Sequence, residues 1–192
     1  MAKSETGTIT ATLRGIRPIL FDRYAGDNNT KLKALEKLYQ DGKGGIVLPV
    51  LNVFSLLTAQ NTDSVAARFY GKLRRDIALG VNAFCNITPH GIESEDMIDA
   101  PIMDAQGKQW TVKDPRIAVV QHVARMKKAG AAIPNPKERP MLPTGWNVTL
   151  DFTLSENNFV TLTTLRNMIE QGGILGLGTF RPIFGRYTVD WK

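Results

Sequence analysis

The most constraining part of the sequence is residues 146–191, where the hydrophobic period changes twice. Trp146, Val148, Leu150, Phe152 and Leu154 alternate with Asn147, Thr149, Asp151 and Thr153, the pattern of a strand with one buried face. Leu162, Leu165, Met168 and Ile169 then recur at helical spacing, and Gly172-Gly173 is placed to stop that helix. A glycine- and arginine-rich loop follows, and Tyr187, Val189 and Trp191 share one side of a closing strand. Strand, helix, glycine loop and strand make half of a βαββαβ ferredoxin-like unit.

The N-terminal region supplies the other half. Ile9, Ala11 and Leu13 alternate with Thr8, Thr10, Thr12 and Arg14, a half-buried strand running to about Phe21. After the polar turn Gly26-Asp27-Asn28-Asn29, Thr30 is placed to cap a short helix with Leu32, Leu35, Leu38 and Tyr39 on one face. A short strand over Ile46–Leu51 contains Pro49. A helical region then spans 52–79, with Val65, Phe69, Leu73 and Ile77 as its buried stripe. The expected fold class is therefore α+β, built on a ferredoxin-like core.

Residues 80–143 are the least regular. Glu93, Glu95, Asp96, Asp99 and Asp104 form an acidic segment, and Asp104-Ala105-Gln106-Gly107 suits a hairpin turn. The run Ile117–Val123 fits strand or helix by period, and its valines favour strand. Pro134, Pro136, Pro140 and Pro143 suggest an extended polyproline-like linker. The whole reads as one 192-residue domain with an insertion at 86–143 projecting from its core.

Composition narrows the function. The chain is 43% hydrophobic and 22% charged, the profile of a globular protein, with no apolar run long enough to span a membrane. The N-terminal MAKSETGT has no apolar segment of the secretory type, and Cys85 stands alone, so a cytoplasmic setting without disulfide or zinc site is expected. A net charge of +6 favours polyanionic partners. The bases are clustered. Arg14, Arg17 and Arg23 lie on or just after the first strand, and Arg68, Lys72, Arg74 and Arg75 share a helical region. Arg125, Lys127 and Lys128 lie in a basic stretch running from 113 to 139. An acidic segment followed by a basic one also suits head-to-tail self-association. Each cluster has a plainer reading as a solvated surface.

The loop from Gly173 to Tyr187 admits two readings. Its glycines let the backbone turn to positive φ and expose N–H groups as an anion nest, flanked by Arg181 and Arg186. Equally, they cap a helix and let two backbones pack closely. Phe180, beside Arg181, is the aromatic best placed to stack on a base.

The segment GGILGLGTFRPIFGRYTVDW resembles the C-terminal glycine-rich loop of the RAMP superfamily, the RNA-binding proteins of CRISPR systems. Within it the chain resembles the backbone subunits that polymerise along CRISPR RNA, and similar phage-encoded proteins. Weaker similarity covers the first strand and the region from Pro49 to Arg75. The resemblance implies an RRM-like ferredoxin (RAMP) core with an inserted β-hairpin or thumb-like segment. It implies phosphate contact at Gly176, Gly178, Arg181, Gly185 and Arg186. The implied partners are single-stranded RNA, CRISPR RNA among it, further copies of the chain and other CRISPR effector subunits, in an antiviral setting.

The expected function is accordingly non-catalytic coating of single-stranded RNA, with no cofactor. A ribonuclease on the same fold, using Asp22 or Asp27, is the alternative, as is a phage protein that mimics a backbone subunit. His90 and His122 read as a loop and a strand histidine.

Overall fold

A computed structural model describes residues 6–27, 30–59, 63–92, 99–128 and 131–192; the side chains of 124–128, 131–133 and 135 lie outside the description. In chain order its elements are β1 (Gly7–Gly15), β2 (Ile19–Leu20), β3 (Val47–Leu48), α1 (Val50–Thr58), α2 (Val65–Phe69), α3 (Arg74–Phe84) and β4 (Cys85–Pro89). These are followed by β5 (Ala100–Pro101), β6 (Ala118–Lys128), β7 (Ala131–Leu142), β8 (Asn147–Leu154), α4 (Leu162–Leu175) and β9 (Tyr187–Trp191).

Four strands form the central sheet in the order β4-β8-β1-β9, every neighbour antiparallel. Helices α1–α3 connect β1 to β4, and α4 connects β8 to β9. That order and those crossovers are the ferredoxin-like arrangement. Strand β8 alternates strictly between half-buried and buried, which places Val148, Leu150, Phe152 and Leu154 on the helix-covered face with Ile9, Ala11, Leu13 and Ile87. Apart from Ala11, each such burial contributes roughly 1.5–3 kcal/mol. The opposite face carries Thr8, Thr10 and Thr12 against Thr153, Asp151 and Thr149 in register. Their side chains hydrogen-bond across the strands, as in the Thr12–Thr149 pair at 2.9 Å.

The long helix expected over 52–79 is three shorter pieces. Helix α1 ends at Thr58, α2 covers five residues, and a 3-10 turn at Gly71–Leu73 leads into α3. The break resets the helical phase, so Phe69 and Leu73, expected in the core, are 42% and 57% exposed. The short helix expected after Thr30 is only a 3-10 turn, Ala34–Lys37, and Leu35 is exposed. Helix α4 does not stop at Gly172-Gly173. It continues to Leu175, because those glycines admit β9: a Cβ on Gly173 would lie 2.3 Å from the Tyr187 carbonyl.

The proline-rich stretch is a strand, not a polyproline linker. Strands β6 and β7 pair from Ala118–Met141 to Lys128–Ala131, and β2 extends this ribbon from the β7 side. The Pro140 carbonyl accepts from Phe21 N–H, so its backbone faces away from β6. Pro134 and Pro136 share that parity and face the same edge, where a missing N–H breaks no bond of the β6–β7 ladder. This hairpin is inserted between the second and third strands of the core sheet.

Not all of 86–143 belongs to the ribbon. Asn86–Pro89 lies within β4, and Ala100, Ile102 and Trp110 are buried in the main core. The expected turn at 104–107 closes with Gly107 N–H donating to the Asp104 carbonyl. Of the acidic segment, 93–98 lies outside the described residues. Asp104 is 5% exposed and tied to Arg116, so it is an internal group instead of a surface charge.

Candidate nucleic-acid interface

The glycine loop runs from the C-terminal end of α4 to β9. Gly176, Gly178, Gly185 and Phe180 all have positive φ, and Phe180 is the sole non-glycine residue among the described residues to do so. The Thr179 N–H donates to the Leu20 carbonyl, the Gly185 N–H to that of Pro18, and the Leu177 N–H to that of Gly185. A Cβ on Gly178 would lie 2.4 Å from the Leu20 carbonyl, and one on Gly185 1.8 Å from that of Leu177. Of the two readings of the loop, close packing is what the structure shows. Most of the donors imagined as a nest already have partners within the protein. The side chains are then the larger part of what the loop offers an anion.

Three arginines border the loop. Arg181 is half-buried in a cleft beside the loop. The Arg186 carbonyl accepts from both Ile16 and Arg17 N–H, which fixes the exposed Arg17 next to the loop's end. Trp146, fully buried, donates its Nε1–H to the Arg17 carbonyl at 2.8 Å and holds that corner from below. The Arg186 Nε is buried and has no hydrogen-bond partner.

The hairpin reaches the same place. His122 on β6 lies 4.9 Å from the Phe180 ring centre and 5.4 Å from that of Phe184. The Arg139 guanidinium on β7 covers Phe180 at 4.6 Å. Arg139 also donates to Asp22 through Nε at 3.1 Å and Nη2 at 2.8 Å, and Lys137 and Lys37 approach the same carboxylate at 3.4 and 3.5 Å. Partial burial opposes ionisation of Asp22, but Arg139, Lys137 and Lys37 outweigh it and hold the carboxyl below its ordinary range. Three cations gather around one carboxylate, so this cluster at the base of the hairpin keeps a net positive charge. Lys137 and Arg139 reach one face because alternate residues of a strand do. An extended polyproline-like linker over 134–143 carries no such pairing, and Arg139, Lys137, Lys37 and His122 join the expected contacts only through the strand.

The other bases are dispersed. Arg14 pairs with Asp190 on the open face of the sheet, away from the helices. Arg23 is exposed and donates to the Glu36 carbonyl. Arg68 pairs with Asp63 across 3.4 Å. Arg74 lines a crevice with Thr58 and Ala59 at the end of α1, whose earlier residues Asn52 and Ser55 line the loop cleft, while Lys72 and Arg75 are exposed beside it. The backbones of Arg125, Lys127 and Lys128 lie at the hairpin tip, opposite Pro134, Ala132 and Ala131.

The candidate reactive groups have structural occupations. Asp22 anchors the hairpin, and Asp27 accepts from the backbone and hydroxyl of Thr30 in a turn. His90 Nδ1 meets Asp151 at 2.9 Å. Burial pushes the Cys85 thiol up to about 12, far from nucleophilic readiness. Among the described residues no three His, Cys, Asp or Glu side chains are placed to share a metal, and no helix is long and apolar enough to cross a membrane.

No protein-family model matches the chain, and no curated protein matches it in sequence. Solved structures do match in fold. One is a chain of the type III-B Cmr-beta complex bound to cognate target RNA, solved by cryo-EM, with TM-score 0.52 and 12% sequence identity. The match covers 98% of this chain but 60% of that one, so the present chain is similar to a part of a larger subunit. At that identity the likeness establishes architecture: an α+β, ferredoxin-like fold of the kind found in a Cmr subunit.

Proposed function

We propose that this protein binds single-stranded RNA without cleaving it, in the manner of a CRISPR effector backbone subunit. The observation that carries this reading is that Arg17, Arg181 and Arg186 border one glycine-rich loop which also meets the cationic base of the hairpin. The fold supports it, since the Cmr-beta chain of similar architecture belongs to a complex bound to target RNA. Arginine side chains meet phosphate oxygens through charge and planar forks, which gives affinity without base specificity. The exposed Lys72 and Arg75, with Arg74 along α1, extend the basic surface away from the loop.

Phosphate affinity on a long strand also suits coating by several copies in a head-to-tail filament, and association with other CRISPR effector subunits. Incubation with labelled single-stranded RNA tests the reading. Retention without shortening of the strand is expected, and retention disappears in a folded Arg181→Ala/Arg186→Ala variant. Shortened RNA would instead favour a ribonuclease. No retention at low salt would favour a protein-binding role such as mimicry of a backbone subunit. Sedimentation on a long RNA at micromolar protein tests the filament: one copy per strand would exclude it.

A further inference from the structure

The cleft that holds Arg181 has a chemistry different from the arginine surface outside it. It encloses about 140 Å³ between the glycine loop, the stretch after β2 and one face of α1. That is close to the roughly 150 Å³ of a cavity known to hold one benzene ring, and well short of pockets for drug-sized ligands. Its one available aromatic wall is Tyr39, half-buried and set edge-on to Phe21, which lies buried behind it with Leu20. Its rim is polar and of mixed sign. Asn52 and Ser55, three residues apart and therefore on one side of α1, present an amide and a hydroxyl. Asp22 and Arg181 present opposite charges. Thr179 adds a hydroxyl that is buried and has no hydrogen-bond partner.

A phosphate would be poorly served there, because Asp22 is part of the wall. A flat ring with donors and acceptors on its edge is well served. An amide can donate and accept at once, which matches a base edge, and a buried hydroxyl lacking a partner gains most from a ligand that supplies one. We propose that this cleft takes a single unstacked nucleobase of the bound RNA, read edge-on by Asn52, Ser55 and Thr179, while Arg181 at its mouth holds the adjoining phosphate. The proposal rests on the RNA-binding reading and adds to it a base preference that phosphate contacts alone do not produce.

The test is affinity of the full-length protein for labelled oligo(A), oligo(C) and oligo(U) of equal length at one salt concentration. Wild-type protein should separate the best from the worst by about tenfold or more, equivalent to about 1.4 kcal/mol. Asn52→Ala and Thr179→Val should each shrink that spread to about threefold or less, by weakening binding of the best oligomer more than of the poorest. Thr179→Val should leave the thermal midpoint no lower than that of the wild type, since a buried hydroxyl without a partner is itself destabilising. Equal wild-type affinities, or a spread untouched in both variants, would overturn the base cleft while leaving RNA binding intact. Failure to bind any of the three would overturn the RNA reading itself, and the cleft with it.

Discussion

The guanidinium of Arg139 lies 4.6 Å above the ring centre of Phe180, joining the inserted hairpin to the glycine loop. Phe180 holds its positive φ under that contact, and its ring already touches Arg139 and His122. It is a structural keystone between two elements, which leaves less of the ring for a stacking base than its neighbourhood with Arg181 suggested. Arg139 in turn is 4% exposed, and the Asp22 carboxylate is its counter-ion.

Removing that counter-ion should be costly. Asp22→Ala leaves a buried guanidinium without its anion, and about 3 kcal/mol of stability should be lost in urea unfolding. Replacing both partners, as Asp22→Ala/Arg139→Met, should recover part of the loss, because the buried guanidinium goes with its anion while Lys37 and Lys137 still lose theirs. A double variant as unstable as the sum of the two single ones would show that the residues act independently.

The same carboxylate sets an acid limit. Its folded-state affinity for protons is lowered, so its contribution is complete above the ordinary carboxylate value of 3.8 and is lost as pH falls below it. Denaturation midpoints of wild type and Asp22→Asn should differ most near neutrality and converge below about pH 4. A difference that stays constant to pH 3 would refute the assignment.

Two glycines of similar backbone geometry should respond unequally to alanine. Gly107 has φ +79 in an open turn, with no atom near the position a Cβ would take, so Gly107→Ala should cost only the left-handed penalty of about 1 kcal/mol. Gly185 has φ +71, and its Cβ would fall 1.8 Å from the Leu177 carbonyl. Gly185→Ala should cost about 2 kcal/mol or more and loosen the loop, read as lower thermal midpoint and faster proteolysis near 176–186.

Salt titration counts the phosphates. For single-stranded nucleic acid each neutralised phosphate contributes a slope of about 0.7 in log affinity against log salt. Arg181→Ala alone should therefore flatten the slope for RNA by about 0.7, besides weakening binding at every salt concentration. An unchanged slope would place the phosphate contacts elsewhere, the α2–α3 bases being the next to test.

The residues themselves determined β1, β8, α4 and β9, because alternation and helical spacing are local records of which side of a segment meets the core. The ferredoxin-like order followed from those segments, and the arginines at 181 and 186 were visible beside their glycines. The rest depended on partners remote in the chain. Arg139 meets Asp22 across 117 positions, and Trp146 reaches Arg17 across 129. The glycine loop's N–H groups meet the carbonyls of Pro18 and Leu20, near the opposite end of the chain. The loop sequence was equally compatible with a nest and with close packing. Tertiary structure decided between them, because a backbone donor is available to a ligand only where folding has brought no carbonyl to it.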